Sequence, residues 1–286
     1  STMAAAQKLY QSGKITYMRT DSVNLSSFAI ASSADFIKKK FGEKYHKARK
    51  FATKSAGAQE AHEAIRPTGI ENEKVSTSQD LQKIYTLIRN RTLASQMAPA
   101  QIEKTTVKIE VSNQEYYFEA KGEVVVFDGF LKVYSSSKKD EFLPELANGD
   151  SLNFNEIIAK EVFSRPPARY TEGSLVKKLE DLGIGRPSTY ATILDTIQAR
   201  GYAAKGEGEG KPRDAIQISL SKNKINREVV QEKTGSTKGK LLPTASGEVL
   251  SDFLNDYFNQ VVDYGWTANL ENDFDKIAVG DENRLE

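Results

Sequence analysis

The run Ile15-Thr16-Tyr17-Met18-Arg19-Thr20-Asp21-Ser22 puts a phenol, an arginine two residues on and a hydroxyl-carboxylate-hydroxyl series within eight positions. Phosphoryl transfer to tyrosine needs such groups. It requires an in-line phenolate, cationic donors for the charge on the non-bridging oxygens, and a way to protonate the departing oxygen. Taken alone, Tyr17 and Arg19 also read as a strand tyrosine and a surface arginine. A second cluster, His62-Glu63-Ala64-Ile65-Arg66-Pro67-Thr68, sets His62 and Arg66 four apart, on one face if helical. Its plain reading is a helix end stopped by Pro67. The fifth position of the motif is Arg66 and not histidine, so the zinc-protease spacing is missing. Gly235 to Lys240 reads G-S-T-K-G-K, without the spacing or the Ser/Thr of a P-loop, and no ATP site is visible.

The elements that must position these groups change character along the chain. Met3 to Tyr10, Ser26 to Phe41 and Leu81 to Met97 have apolar residues at three-and-four spacing and predict helices, with Ser26 and Ser78 as N-caps. After Pro99, the segments Thr105 to Ser112, Tyr116 to Gly122, Glu123 to Phe127 and Leu131 to Tyr134 carry strand chemistry with turn residues between them. Beyond Pro166-Pro167, Thr171 with Gly173 and Ser174 starts a helix running to Leu182. Pro187, Ser188 and Thr189 open a second, with Tyr190, Ile193, Leu194 and Ile197 as its apolar face. The Gly206 to Pro212 stretch then reads as a hairpin tip before a strand from Ala215 to Ser219, and Thr244 caps a helix from Ala245 to Phe258. Two helices, a hairpin tip and a returning strand make a winged-helix-like pattern.

Composition bounds the class. The 286 residues hold no cysteine and two histidines, which excludes disulfide scaffolds and thiolate zinc sites. No run approaches the roughly 18 apolar residues of a membrane span and no leader opens the chain, so the expectation is a soluble protein of a cytosol-like compartment. The formal charge of +1 hides an uneven distribution. Ser246 to Glu286 holds ten acidic residues and two basic ones, leaving 38 basic against 29 acidic before it. The densest basic run, from Lys38 to Lys54, opposes eight cations with Glu43 alone. It reads either as a track for a phosphate backbone or as a solvated face.

The motifs ITYMRTDS (15–22), AHEAIRPT (61–68), FDGFLKVY (127–134), RPPARYTEGSLVKKLEDLGIGRPSTYATILDTIQARGY (165–202) and WTANLENDFDKIAVGD (266–281) together closely resemble type IA DNA topoisomerases, in the family's order and nearly end to end. Met18 before Arg19 and GRPSTYA at 185–191 look like the bacterial topoisomerase I branch. The resemblance implies a multidomain α+β fold. A helical, CAP-like domain with the nucleophile spans 1–98, a β-rich arch segment 99–164, and a winged-helix-like DNA-binding domain 165–286. It implies that Tyr17 attacks a phosphodiester to give a 5′-phosphotyrosyl link and that Arg19 positions the scissile phosphate. Asp21, His62 and Arg66 would contact DNA in the active site, and Arg169, Arg186, Ser188, Thr189 and Tyr190 would bind the incoming single strand.

Full-length family members begin with a Toprim domain that binds magnesium, and many end in zinc ribbons. This chain therefore resembles a fragment lacking both, expected to hold no metal itself and to be inactive alone. The expected partners are DNA, mainly single-stranded, and the missing Toprim domain, with no membrane. The expected location is the cytoplasm, in association with the nucleoid. The reaction implied is ATP-independent relaxation of negative supercoils by cleavage, strand passage and religation. Two other readings stay open from the residues: a non-catalytic winged-helix DNA-binding protein, and a tyrosine recombinase, in which the link would be 3′-phosphotyrosyl.

Overall fold

The computed structural model describes residues 2–51, 62–112, 114–134 and 140–283. The chain forms two compact units, Ser1–Leu152 and Asn153–Glu286. Both mix helix and sheet.

In the first unit α1 (Thr2–Gln11), α2 (Ser27–Phe41) and α3 (Gln79–Ser95) lie where the periodicity predicts helices. Ser26 caps α2, its hydroxyl accepting from the Ala29 amide at 3.2 Å, and Lys38, Lys39 and Lys40 in the last turn complement the helix dipole. Ser78 precedes α3 as expected but makes no side-chain capping bond. Two clusters of buried side chains form the core. Ala6, Leu9, Ile15, Met18 and Tyr85 pack together beneath α1, and Ile37, Ile70, Leu93 and Met97 join α2 to the C-terminal half of α3. Tyr85 is 1% exposed, and its hydroxyl donates to the carbonyls of Gly69 and Asn72. Buried Arg89 lies over the Phe36 ring and donates to the Ile70 carbonyl at 2.7 Å.

β1 (Gln101–Glu110) and β2 (Tyr117–Phe127) form an antiparallel pair. Gly122 does not divide β2, as the sequence suggested. A Cβ there would come within 2.8 Å of the Glu141 carbonyl, so glycine admits the segment that pairs Glu141 with Glu123. Leu131 to Tyr134 is not a strand either. Gly129–Lys132 is a 3-10 turn entered through a positive φ at Gly129, with the Phe130 amide donating to the Ala98 carbonyl.

In the second unit, β3 (Glu156–Lys160) precedes α4 (Glu172–Asp181), whose N-cap Thr171 exchanges bonds with Ser174 in a capping box, and α5 (Tyr190–Ala199). Four strands follow: β4 (Ala203–Gly208), β5 (Lys211–Ser221), β6 (Lys224–Thr234) and β7 (Thr237–Pro243). The Gly206 to Pro212 stretch is not a hairpin tip. β4 pairs with β7, while β5 pairs with β6 on one side and with β3 on the other. Gly208 lies opposite Thr237 and Lys211 opposite Thr234, so the four strands are one long ribbon kinked at its glycines. Its tip is Lys222-Asn223, both at positive φ, the backbone a two-residue type I′ turn demands.

α6 (Ala245–Tyr257) starts at Thr244, whose hydroxyl accepts from the Gly247 amide, and α7 (Asn259–Val262) leads to α8 (Tyr264–Val279). Gly247 touches the chain it packs on. A Cβ there would lie 2.1 Å from the Tyr202 carbonyl oxygen. Glycine to alanine inside a helix ordinarily gains up to about 1 kcal/mol, but a backbone clash that cannot relax reverses the sign. Gly247→Ala is expected to destabilise the second unit by about 2 kcal/mol, read as a lower urea midpoint at unchanged slope.

Candidate active site

The first motif runs along a short antiparallel contact with the second. Ile15 bridges Pro67, the Thr16 amide donates to the Arg66 carbonyl at 2.9 Å, and the Thr68 amide donates to Lys14 at 3.1 Å. The Thr16 hydroxyl donates to the Ala64 carbonyl at 2.8 Å and accepts from the Arg66 amide at 2.9 Å. Ile15 and Met18 are buried in the α1 cluster. Between and after them, Tyr17 is left half-buried and Arg19 exposed. Beyond Arg19 the hydroxyls of Thr20 and Ser22 accept from the amides of Ser22 and Asn24, which turns the chain into the cap of α2.

The Tyr17 ring lies between two others. His62 is 5.1 Å away, centroid to centroid, at 35°, and Tyr10 is 5.3 Å away at 68°, edge to face. Two polar atoms of this region, Nδ1 of His62 and Oδ1 of Asp21, are buried without a hydrogen-bond partner among the described residues. The structure thus brings Tyr17 and His62 together, with His62 on an irregular loop and not on a helix. Ala61, which opens that motif, lies outside the described residues, as does Lys54 of the basic run.

Glu63 is the residue that the sequence reading passed over as part of a failed zinc motif. Its carboxylate accepts from the Ser26 amide at 2.6 Å and from Arg66 through Nε at 2.7 Å and a terminal nitrogen at 2.9 Å. It therefore ties the loop bearing His62 to the start of α2. Arg66, expected to meet DNA, has its fork turned onto Glu63 and donates to the Pro67 carbonyl as well.

Burial raises the Glu63 pKa, but the bonds from Arg66 and Ser26 outweigh it and hold the carboxyl below its ordinary 4.5. A pKa lower in the folded than in the unfolded chain stabilises above the unfolded value and is lost as pH falls through the folded one. Urea unfolding is therefore expected to show the first unit weakening below about pH 4.5. Glu63→Gln should be less stable at neutral pH and show a shallower acid loss than the parent.

The DNA-binding candidates of the second unit divide in the same way. Arg186 donates to Asp275 on α8 at 2.7 and 3.2 Å and to the carbonyls of Gly183 and Gly185. Its guanidinium fixes the Gly183–Gly185 turn to α8, which gives part of the acidic terminal segment an internal partner. The Thr189 hydroxyl both accepts from the Arg186 amide and donates to its carbonyl. Arg169 and Ser188 are exposed, and Tyr190 is half-buried on the first turn of α5.

Among the described residues no three His, Asp or Glu side chains converge as a metal site, and no helix is long and apolar enough to cross a membrane. The sequence model of a family described as DNA topoisomerase matches residues 1–218. A prokaryotic-type DNA topoisomerase 1 of Acanthamoeba polyphaga mimivirus is 41% identical over 99% of this chain and 36% of its own length. DNA topoisomerase 1 of Pseudomonas aeruginosa is 40% identical over 98% of the chain and 29% of its own. The chain thus spans about a third of the length of these curated relatives. The solved full-length topoisomerase I of Thermotoga maritima superposes with a TM-score of 0.73 at 32% identity, covering 98% of this chain and 43% of that one. Motifs, match and superposition agree: the chain belongs to the bacterial DNA topoisomerase I family.

Proposed function

We propose that this chain carries the nucleophile and DNA-holding part of a type IA DNA topoisomerase. The observation that supports this reading is the Tyr17 ring, held half-buried between Tyr10 and His62, with Arg19 exposed two residues on. In the proposed reaction the Tyr17 oxygen attacks a backbone phosphorus in line. The phenol proton passes to a base, the P–O3′ bond breaks, and the departing 3′ oxygen takes up a proton. Arg19 offers two parallel N–H donors to the non-bridging oxygens, where charge builds. The product is a 5′-phosphotyrosyl link with a free 3′-hydroxyl. Reversal reseals the strand without ATP, since the link conserves the energy of the phosphodiester. Asp21 and His62, each with an unpartnered buried polar atom, are the residues proposed to meet DNA beside the break.

Substrate and partners follow the same reading. The substrate is negatively supercoiled DNA, bound chiefly through a single-stranded stretch, in the cytoplasm at the nucleoid, and the second partner is a Toprim domain that supplies magnesium. No donor set for that ion exists among the described residues, so no step here runs through it. The chain is read as three parts: the helical domain with Tyr17, the β1–β2 arch segment, and the winged-helix-like region. In the last, α4 and α5 with the kinked ribbon are proposed to bind the single strand, through Arg169, Ser188, Thr189 and Tyr190 around the clamp at Arg186.

The test mixes the chain, a separately prepared Toprim domain, magnesium and an oligonucleotide labelled at one end. Label at the 3′ end should become protein-linked and label at the 5′ end should not. Linkage of the 5′-labelled strand instead would identify a 3′-phosphotyrosyl recombinase, and binding without linkage a non-catalytic DNA-binding protein. The chain with magnesium alone is expected not to relax supercoiled DNA, and relaxation lost in Tyr17→Phe would refute that.

A further inference from the structure

The basic run after Lys38 has no part in the site at Tyr17, and the structure sorts its charges. Lys38 pairs with Glu43 at 2.8 Å, Lys40 pairs with Glu73, and Lys44 sits over the rings of Tyr45 and Phe127 at 5.5 and 5.6 Å. Lys47, Arg49 and Lys50 have no carboxylate partner among the described residues, and Lys47 and Lys50 are exposed.

The backbone under the first two is pinned. His46 bridges Met97, the Lys47 amide donates to the Gln96 carbonyl at 3.0 Å, and the Ala98 amide donates to the Tyr45 carbonyl at 2.7 Å. Gln96, 0% exposed, then extends the pairing with its side chain. Its Oε1 accepts from the Arg49 amide at 3.1 Å, and its Nε2 donates to the Arg49 carbonyl at 3.0 Å. A buried amide thus acts as a further strand and holds residues 47–49 extended. In extended chain, residues two apart share a face about 6.6 Å apart, which sets Lys47 and Arg49 in a row. Phe51, 40% exposed, follows directly. Tyr45, two residues before the strip, packs against the Ile37 cluster, whereas Tyr17 packs against the α1 cluster, so the strip adjoins a different part of the core from the nucleophile.

We infer that Lys47–Phe51 is a second binding strip for single-stranded DNA, with phosphates on Lys47 and Arg49 and a base on Phe51, which share one face of the extended chain. A row of cations ending in an exposed ring is the combination that holds single strands without reading sequence. The strip deepens the topoisomerase reading, on which it rests, by giving the enzyme a hold on the strand away from the break.

The test is fluorescence anisotropy of the whole chain with a dye-labelled thymidine oligonucleotide across a salt series. The variant Lys47→Gln/Arg49→Gln should bind at least about fivefold more weakly and lower the slope of log affinity against log salt by about 1.4, near 0.7 for each phosphate contact. Phe51→Ala should weaken binding roughly fivefold to a hundredfold at unchanged slope. A control variant, Lys104→Gln/Lys108→Gln/Lys121→Gln on the β1–β2 pair, should bind like the parent, and all melting curves should coincide. An unchanged slope in the strip variant, an equal loss in the control, or no binding by the parent chain overturns the strip. None of these decides the topoisomerase reading, which stands or falls on transfer of the 3′ label.

Discussion

Tyr17→Phe is expected to abolish transfer of 3′-labelled DNA to the protein while leaving the fold unchanged. In the proposed reaction the phenol oxygen is the atom that bonds to phosphorus, and phenylalanine has no substitute for it. Removing a covalent nucleophile from a working site elsewhere costs on the order of 10⁶ in rate, so the adduct should fall below detection. The ring stays, and the ring is what packs. The Tyr17 side chain makes its contacts with Tyr10 and His62 through the ring, and its hydroxyl makes no hydrogen bond among the described residues. Stability should therefore change by less than about 0.5 kcal/mol. Coincident melting curves with a lost adduct assign the defect to chemistry. An adduct that persists in Tyr17→Phe would move the nucleophile elsewhere and take the proposed reaction with it.

What the residues revealed in advance, and what they did not, divides along a physical line. Helices α1 to α3 and the capped starts at Ser26, Thr171 and Thr244 were legible because amphipathic spacing and hydroxyl caps are local signals. The kinked ribbon of the second unit was not. Pairing of Gly208 with Thr237 joins residues 29 apart, and glycine marks a kink as readily as a tip. The true tip, Lys222-Asn223, lacks the glycine that normally announces a type I′ turn. Leu131 to Tyr134 has strand-forming side chains, but Asp128 and Gly129 turn the chain under Ala98, a contact that no local pattern encodes.

The site shows the same division. Tyr17, Arg19 and His62 could be named as candidates by type and order, whereas Glu63 could be recognised only once the fold brought Ser26 and Arg66 onto one carboxylate. Arg66 and Arg186 show why arginine is ambiguous in a sequence. The fork that would grip a phosphate serves equally to clamp a carboxylate and backbone carbonyls, and in both residues the structure commits it that way.

Arg19 is the contrasting case, and Arg19→Ala should make the second largest difference. Its neighbour Met18 is 5% exposed in the α1 cluster and Thr16 is fixed through Ala64 and Arg66, so the backbone at 19 is held. The Arg19 side chain is exposed and lies outside that packing. Melting should consequently be unchanged. Adduct formation in single turnover should slow by about 10²- to 10³-fold, the usual cost of removing one charge-stabilising donor from a transition state. Arg19→Lys restores the charge but not the two parallel donors, and should recover only part of the rate. Affinity for single-stranded DNA separates the roles. If Arg19 meets the phosphate only as charge develops, Arg19→Ala binds DNA nearly as well as the parent and loses rate alone. Parallel loss of affinity and rate constant would make it an ordinary phosphate contact, and the stabilisation of the transition state would then have to come from another group.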